Sequence, residues 1–407
     1  QQKKQIDVKK TIEKTVQCDG EIARLYYKKP IKSIRVKSIM LIKSLHLKNF
    51  RNYAEEEFLF DGGVNVLTGA NAQGKTNAAE AVFLLCTGYS PRATKDNQLV
   101  KKGEERAEIE CLAESRYGDV HIEMSIGRAD KKSVKINSTP IMRIGELLGN
   151  VNSVFFNPGE LKLVKETPED RRRFMNISLS QMSKNYLHSL NRYNRILQQR
   201  NNLLKERDRG MVFETLPIWD AEMAKYAAKI IDRRNEFLKT LSPLAEEAHA
   251  ALSGGREELK ISAESGWQGS EAEIADGVAK ALKASYEKDM RLGFTNVGPH
   301  RDDMKILLNG EDVKIYGSQG QQRTVALSVK LAETEIFKSR FNEYPVLILD
   351  DVLSELDRVR RRRLIARLNG IQTIITCTNA EKSVFGDTPY KKMTVADGKL
   401  KKTAAKD

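Results

Sequence analysis

No apolar run in the 407 residues approaches the roughly 18–20 needed for a membrane-spanning helix, which speaks against a bilayer-embedded channel or carrier. Cysteine is scarce: Cys18, Cys86, Cys111 and Cys377 lie far apart and form no CxxC pair, so neither a zinc site nor a disulfide framework is expected. A reducing cytoplasm is the expected compartment. The basic N-terminus lacks the apolar core of a secretory signal, so no export address is read there. Internal repeats are missing too, as are the hundreds of heptad-patterned residues that a long coiled coil requires. What is present is ordinary globular composition, 40% hydrophobic and 30% charged, in a chain long enough for two lobes. The formal charge is +14, and half of it sits in residues 1–39, where eleven Lys or Arg face four Asp or Glu. Basic charge makes a nucleic-acid partner plausible without establishing it.

The chain divides by pattern. Residues 1–39 read as a separate basic extension ahead of Met40, either an arm that grips phosphates or a disordered leader. Alternation from Leu41 predicts a strand leading into Asn49-Phe50-Arg51-Asn52-Tyr53, and Gly63 to Leu67 predicts a second strand that feeds a glycine-bearing loop and an apolar helix from Lys75. Short strands with turns are expected over 104–142. Helical spacing over 169–206 and 217–252 predicts two antiparallel helices forming an arm. Strand and loop chemistry returns at 290–316, and alternating helices and apolar strands fill 343–378. The resulting domain reading is an ATPase lobe in two parts, 40–165 and 291–400, interrupted by a mainly helical arm lobe, 166–290, with a tail at 401–407.

Four segments carry chemistry. Gly69-Ala70-Asn71-Ala72-Gln73-Gly74-Lys75-Thr76 fits G-x-x-x-x-G-K-[ST] between a predicted strand and a predicted helix. Glycines let backbone N–H groups curl around phosphates, the helix N-terminus adds a favourable dipole, Lys75 reaches the β- and γ-phosphates, and Thr76 offers a hydroxyl to Mg2+. The apolar run Pro345 to Leu349 ends in Asp350-Asp351, the mark of a strand buried on both faces. Asp350 is the expected metal carboxylate and Asp351 the expected general base. Lys75 and Asp350 stand 275 residues apart, too far for a small GTPase and suited to an α/β ABC-ATPase head with an inserted arm. Ser318-Gln319-Gly320-Gln321-Gln322-Arg323 opens a predicted helix where an ABC signature motif belongs, and Ser354-Glu355-Leu356-Asp357 has the form of a D-loop.

Taken together with Leu41 to Tyr53, Glu169-Asp170-Arg171-Arg172-Arg173-Phe174 and Gly298-Pro299-His300-Arg301-Asp302-Asp303, these strings resemble the RecF family over essentially residues 40–400. The resemblance implies a two-lobed head that binds ATP with Mg2+ and dimerises on ATP. It also implies action on single- and double-stranded DNA at gaps, and recombinase loading with recombination-mediator proteins, in support of replication restart and the SOS response. Ser318, Gln319 and Gly320 would face the γ-phosphate held by the other subunit's loop. Arg51 is expected to approach the nucleotide phosphates.

Other positions depart from the family pattern. Asn157 stands where a small hydroxyl residue is more usual, Asn176 where an acid is, and Thr378-Asn379 near a transporter's switch histidine. Gln181 is read as a polar residue on a helix face. Asp351 replaces the longer glutamate of transporter ATPases, which suggests slow hydrolysis. Four successive arginines, Arg360 to Arg363, cannot all face one way on a helix, so Arg358 and this run suit an interface or solvated face as well as DNA. His300 and Arg301 read as a structural turn. Two rival readings are weaker. An ATP-dependent nuclease with an ABC head needs a further acidic domain after Asp357, where about fifty residues remain, and a chromosome-organising protein needs the missing long arm.

Overall fold

A computed structural model describes residues 40–401 apart from 117, 207, 208, 265 and 381, so the extension read over residues 1–39 lies outside the described residues. At its centre is a six-stranded sheet in the order β15-β14-β3-β13-β12-β8, that is Lys399–Leu400, Tyr390–Ala396, Val64–Thr68, Thr373–Cys377, Val346–Asp350 and Ser153–Phe156. All its pairings are parallel except β14 with β15. Every residue of β3, β8, β12 and β13 is buried, which is why VLILD and TIITC lack polar alternation.

A second, antiparallel sheet runs β2-β1-β4-β5-β6-β7, from Tyr53–Leu59, Leu41–Phe50, Arg106–Ser115, Gly118–Gly127, Ser133–Ile136 and Thr139–Pro140. The simple alternation expected from Leu41 breaks at a register shift between Ile42 and Ser44, and Ile42, Leu45, Leu47 and Phe50 are the residues turned inward. The region expected to hold short strands contains two of ten residues each, β4 and β5. Between the sheets lies α1 (Lys75–Thr87), packed on β4, β8, β12 and β13 with eleven of its thirteen residues buried. Burial on all sides explains the apolar run Ala81 to Cys86, and Gly88 ends the helix in the left-handed conformation with its N–H on Leu84 O. Gln372 clips the two sheets together: its amide takes the Ile42 N–H at 2.7 Å and donates to Ile42 O at 2.8 Å and Asp61 O at 2.9 Å.

The helical part opens with α2 (Lys162–Lys165), α3 (Pro168–Met182), α4 (Lys184–Leu203) and α5 (Arg209–Ser253). The single helix expected over 169–206 is thus two, because Ser183 turns extended and its hydroxyl caps α4 through Tyr186 N. The forty-five-residue α5 carries Pro217 and Pro243 inside it. It runs antiparallel to α4, since Arg200 near the end of α4 meets Asp220 near the start of α5, while Tyr186 near the start of α4 meets Arg234 further along α5. Beyond α5 come β9 (Leu259–Ala263), α6 (Glu271–Ala284), α7 (Tyr286–Leu292), β10 (Met304–Leu308), β11 (Glu311–Asp312), α8 (Val313–Tyr316) and α9 (Gln319–Phe341), then α10 (Arg358–Ala366) and α11 (Lys382–Phe385) after β12 and β13. Strands β9, β10 and β11 form a small antiparallel sheet, so one sheet straddles residue 290. Among the described residues no helix is long and apolar enough to cross a membrane.

The helical part is pinned by charge as well as apolar packing. Arg200 is fully buried and pairs at 2.7 Å with Asp220 and at 2.7 Å with Asp289, tying α4, α5 and α7 together. Removing one member of such a group leaves uncompensated buried charge. Arg200→Met is expected to lower stability by about 3–5 kcal/mol, read as a drop in urea midpoint, whereas a surface-like cost below about 1 kcal/mol would contradict this role.

Candidate functional site

Parallel strands deliver their carboxyl ends to one edge, and the loops leaving that edge converge there. From β3 comes the loop Gly69–Thr76, from β12 the pair Asp350-Asp351, from β13 the neighbourhood of Thr376, and from β8 Asn157. Two glycines shape the first loop. At Gly69 (φ 148°) a Cβ would sit 2.2 Å from Val395 O, and at Gly74 (φ 118°) it would sit 2.8 Å from both Asn52 Nδ2 and Tyr53 Oη. The β1–β2 turn buttresses the loop from behind: Tyr53 Oη donates to Gly74 O at 2.9 Å, Asn52 Nδ2 to Gln73 O at 2.9 Å, and Asn77 Nδ2 to Asn52 Oδ1 at 2.8 Å. Ala70, Asn71 and Ala72 stay exposed at the tip.

Lys75 is buried, and its Nζ donates to the carbonyls of Gly69 (2.8 Å) and Ala70 (2.7 Å), curled over its own loop. Thr76 Oγ1 donates to Asp350 Oδ1 at 2.8 Å, and Thr376 Oγ1 donates to the same oxygen at 2.6 Å. Burial raises the Asp350 carboxyl above its ordinary value, and these two hydroxyl donors pull it partly back. Asp351 takes a left-handed φ of 54°, with its N–H on Thr376 Oγ1 at 3.0 Å. Its carboxylate lines the same cleft as Thr76, Asp350 and Asn157, a space of about 540 Å³. The donors around Asp350 are oxygens, the set suited to a hard divalent cation such as magnesium. Among the described residues no group of three His, Cys, Asp or Glu could hold a metal alone, so a cation here would draw further oxygens from water or a bound ligand.

Other sequence-selected residues sit elsewhere. Arg51 forms a two-pronged ion pair with buried Glu80 (2.9 and 2.8 Å), and Ser90 and Arg92 gather on the same carboxylate, so Arg51 serves as a strut between the β1–β2 turn and α1. Ser318 is exposed at the N-terminus of α9, where a capping box joins it to Gln321, and none of Ser318, Gln319 and Gly320 lines the cleft. Arg323, one turn into α9, pairs with Glu355 of the segment after β12 at 3.2 Å. Gln181, read as a polar residue on a helix face, is buried and bonds both backbone groups of Ser153 in β8. Asn157 caps the turn that follows β8. The arginine clusters do not form one face. Arg171 is clamped on Asp303, Arg361 reaches Leu356 O, Arg363 reaches Leu252 O, and Arg360 lies against Asp357.

Sequence reasoning passed over Thr376, Glu80, Arg92, Asn52 and Tyr53. Their signal is weak because a threonine in a buried strand or a glutamate inside an apolar helix gains meaning only from its neighbours. Glu80, an acid in the middle of AAEAVFLL, was the one local hint.

The polar groups of the turn Gly298–Asp303 are bonded within the protein. His300 accepts or donates at 2.5 Å to Tyr193 Oη and 3.0 Å to Thr295 O, and burial lowers it to about 4. Asp302 is raised by burial to about 6 although Arg234 and Arg172 lie near it. A carboxyl so raised contributes stability fully below its ordinary value and loses it as pH climbs through 6. Neutral His300 runs the other way, with its contribution present above the ordinary histidine value and lost as pH falls through 4. The two offset between those limits. Asp302→Asn is expected to steepen the fall in urea midpoint between about pH 6.5 and 4.5, and curves parallel to the wild type would contradict it.

A P-loop ahead of a buried helix, two carboxylates closing a central parallel strand, and a capped signature helix outside the cleft together define an ATPase head of the ABC type. Within that class the chain belongs to the RecF family: the family model described as RecF/RecN/SMC N terminal domain matches residues 41–401. The DNA replication and repair protein RecF of Lachnoclostridium phytofermentans is 46% identical over 346 residues, covering 85% of this chain and 94% of that protein. Its namesake from Alkaliphilus oremlandii is 42% identical, covering 84% and 94%. A solved structure described as the recombination mediator protein RecF-ATPrS in the RecFOR pathway superposes with a TM-score of 0.82 at 37% identity, covering 90% of this chain and 99% of that one. The Smc head domain from Pyrococcus furiosus, at TM-score 0.53 and 18% identity, shares the fold.

Proposed function

We propose that this chain is an ATP-binding, DNA-acting protein of recombinational repair whose nucleotide site is completed by a second copy of itself. The observation that carries this reading is the placement of Ser318: exposed, at the open N-terminus of a twenty-three-residue helix, and outside the cleft around Thr76 and Asp350. A helix N-terminus presents unpaired N–H groups and a positive dipole end, which suit a γ-phosphate brought by another protomer. In this scheme the N–H groups of the loop and Lys75 hold the phosphates, Lys75 exchanging the carbonyls of Gly69 and Ala70 for phosphate oxygens. Thr76 and Asp350 would hold magnesium, which neutralises charge on the phosphates. Asp351 orients the attacking water and accepts its proton. The Arg323–Glu355 pair makes the signature end of α9 and the segment after β12 move as one.

The RecF relatives and the ATP-bound RecF structure support ATP as the ligand and repair as the setting. Single- and double-stranded DNA at gaps, recombination-mediator proteins, roles in replication restart and SOS induction, and a cytoplasmic location complete the proposal. ATP then acts as glue between two heads, and hydrolysis releases them.

Light scattering on the sized protein tests this. With ATP and magnesium the wild type should dimerise, Lys75→Met and Ser318→Arg should each stay monomeric, and a mixture of the two should restore at most one composite site. Dimers that form equally well with Ser318→Arg would remove the shared-site model and leave nucleotide binding alone. Turnover with DNA should stay below about 10 per second, the median for enzymes in general.

A further inference from the structure

A second cavity, about 560 Å³, opens between the segment after α1 and the helices α3, α4 and α5. Its volume falls in the ordinary range for ligand pockets, roughly 300–1,000 Å³, and exceeds what one small ion needs. Its walls mix apolar side chains, Leu148, Ile177, Leu187, Leu190 and Ile230 among them, with hydrogen-bond donors. Arg172 gives one bond, to Asp302 O at 2.8 Å, and Arg173, Asn191 and Asn194 have no hydrogen-bond partner among the described residues. Ser180 also lines the cavity; it is 6% exposed and equally without a partner among the described residues.

Charge points the same way. Burial lowers the Arg172 pKa first and the neighbouring Arg234 lowers it further, while Asp303, Glu169 and Asp302 pull it partly back without forming an ion pair with it. Two guanidinium groups crowded in a half-buried wall repel each other, and an anion between them and solvent relieves that repulsion. Of the acids nearby, Asp302 lies 3.6 Å from Arg234 and meets Arg172 only through its backbone carbonyl, Asp303 is clamped on Arg171, Asp96 is paired with Lys132 at 3.0 Å, and Glu169 is exposed. At the mouth stands Tyr89, 55% exposed, with Lys132 Nζ 6.0 Å from its ring centroid. An exposed aromatic and arginines without an ion-pair partner on the walls of one cavity are the groups by which single strands are held, the ring stacking a base and the guanidinium meeting the phosphate.

We propose that this cavity is a nucleotide pocket for single-stranded DNA, in which Arg172 and Arg173 bind one backbone phosphate and Tyr89 stacks the adjoining base. The proposal rests on the DNA-acting reading above and adds the place and the strand form. Arg173 and Ile177 of α3 line both this cavity and the cleft that holds Thr76, Asp350 and Asp351. A strand seated here would therefore lean on the helix that walls the phosphate site.

The test is fluorescence anisotropy of a labelled oligothymidylate in the full chain, with duplex DNA measured in parallel. Exposed Tyr89 and Arg173 can be changed with little risk to folding. Tyr89→Ala is expected to weaken single-strand binding about fivefold or more, and Arg173→Gln to weaken it and flatten the logarithmic salt dependence by about 0.7. Thymidine 5′-monophosphate should compete, better than inorganic phosphate and far better than thymidine, and should do so equally in the Lys75→Met protein, which separates this pocket from the P-loop. If the wild type binds single strands and both variants match it, the pocket assignment falls while DNA action stands. If the wild type binds neither DNA form, both readings fall. Competition by phosphate and nucleotide without any effect of Tyr89→Ala overturns the stacking assignment and with it the nucleotide pocket.

Discussion

The hydroxyls of Thr76 and Thr376 both donate to one oxygen of Asp350, and that shared carboxylate joins three pieces of chain that are remote in sequence. Thr76 belongs to the start of a helix that follows β3, Thr376 to the buried strand β13, and Asp350 to the end of β12, with β13 between β3 and β12 in the sheet. A buried carboxylate is costly unless its oxygens are satisfied, so the site holds its shape only while all three segments are in register. The parallel pairing of Asp350 with Thr376, and of Thr376 with Leu67, supplies that register through backbone bonds alone. The position of the loop Gly69–Thr76 follows from this.

Around that centre the molecule uses side chains as struts where backbone pairing ends. Gln372 stands in for a missing strand pair between the two sheets, Gln181 does the same between α3 and β8, and Glu80 gathers Arg51, Ser90 and Arg92. These are high-stakes contacts because Gln372, Gln181 and Glu80 are themselves buried and depend on protein partners for their polar atoms. They hold α1 in place between the sheets and keep the opening between ATPase and helical parts a defined cleft. The signature end of α9 lies outside that cleft, exposed at its N-cap residue Ser318.

Much of the site was legible early because its motifs are local. The P-loop is eight consecutive residues whose glycines have no alternative at φ values of 118° and 148°, and the strand before Asp350 has a composition that only a two-sided core accepts. Ser318 announced a helix start through its own capping box, a three-residue relationship. Arg51 shows what a local reading leaves out: the sequence marks it for the nucleotide phosphates, and its partner Glu80 lies twenty-nine residues further on, buried in α1. The single helix read over 169–206 failed for a smaller reason, since one serine that turns extended and caps the next helix outweighs continued apolar spacing.

By itself the sequence determined which backbone segments curl, cap or bury, because those choices are made by residue type over spans of two to ten residues: glycine in the loop, serine at a helix start, branched apolar side chains in central strands. Tertiary structure alone decided which polar groups meet. Asp350 with Thr376, Arg51 with Glu80, Arg200 with Asp220 and Asp289, and Arg172, Arg173 and Tyr89 on the wall of one cavity depend on how layers stack, and no periodicity in a single chain encodes which distant neighbour a buried charge will find. That is because burial makes a polar contact strong only after the apolar core has fixed the distance between partners.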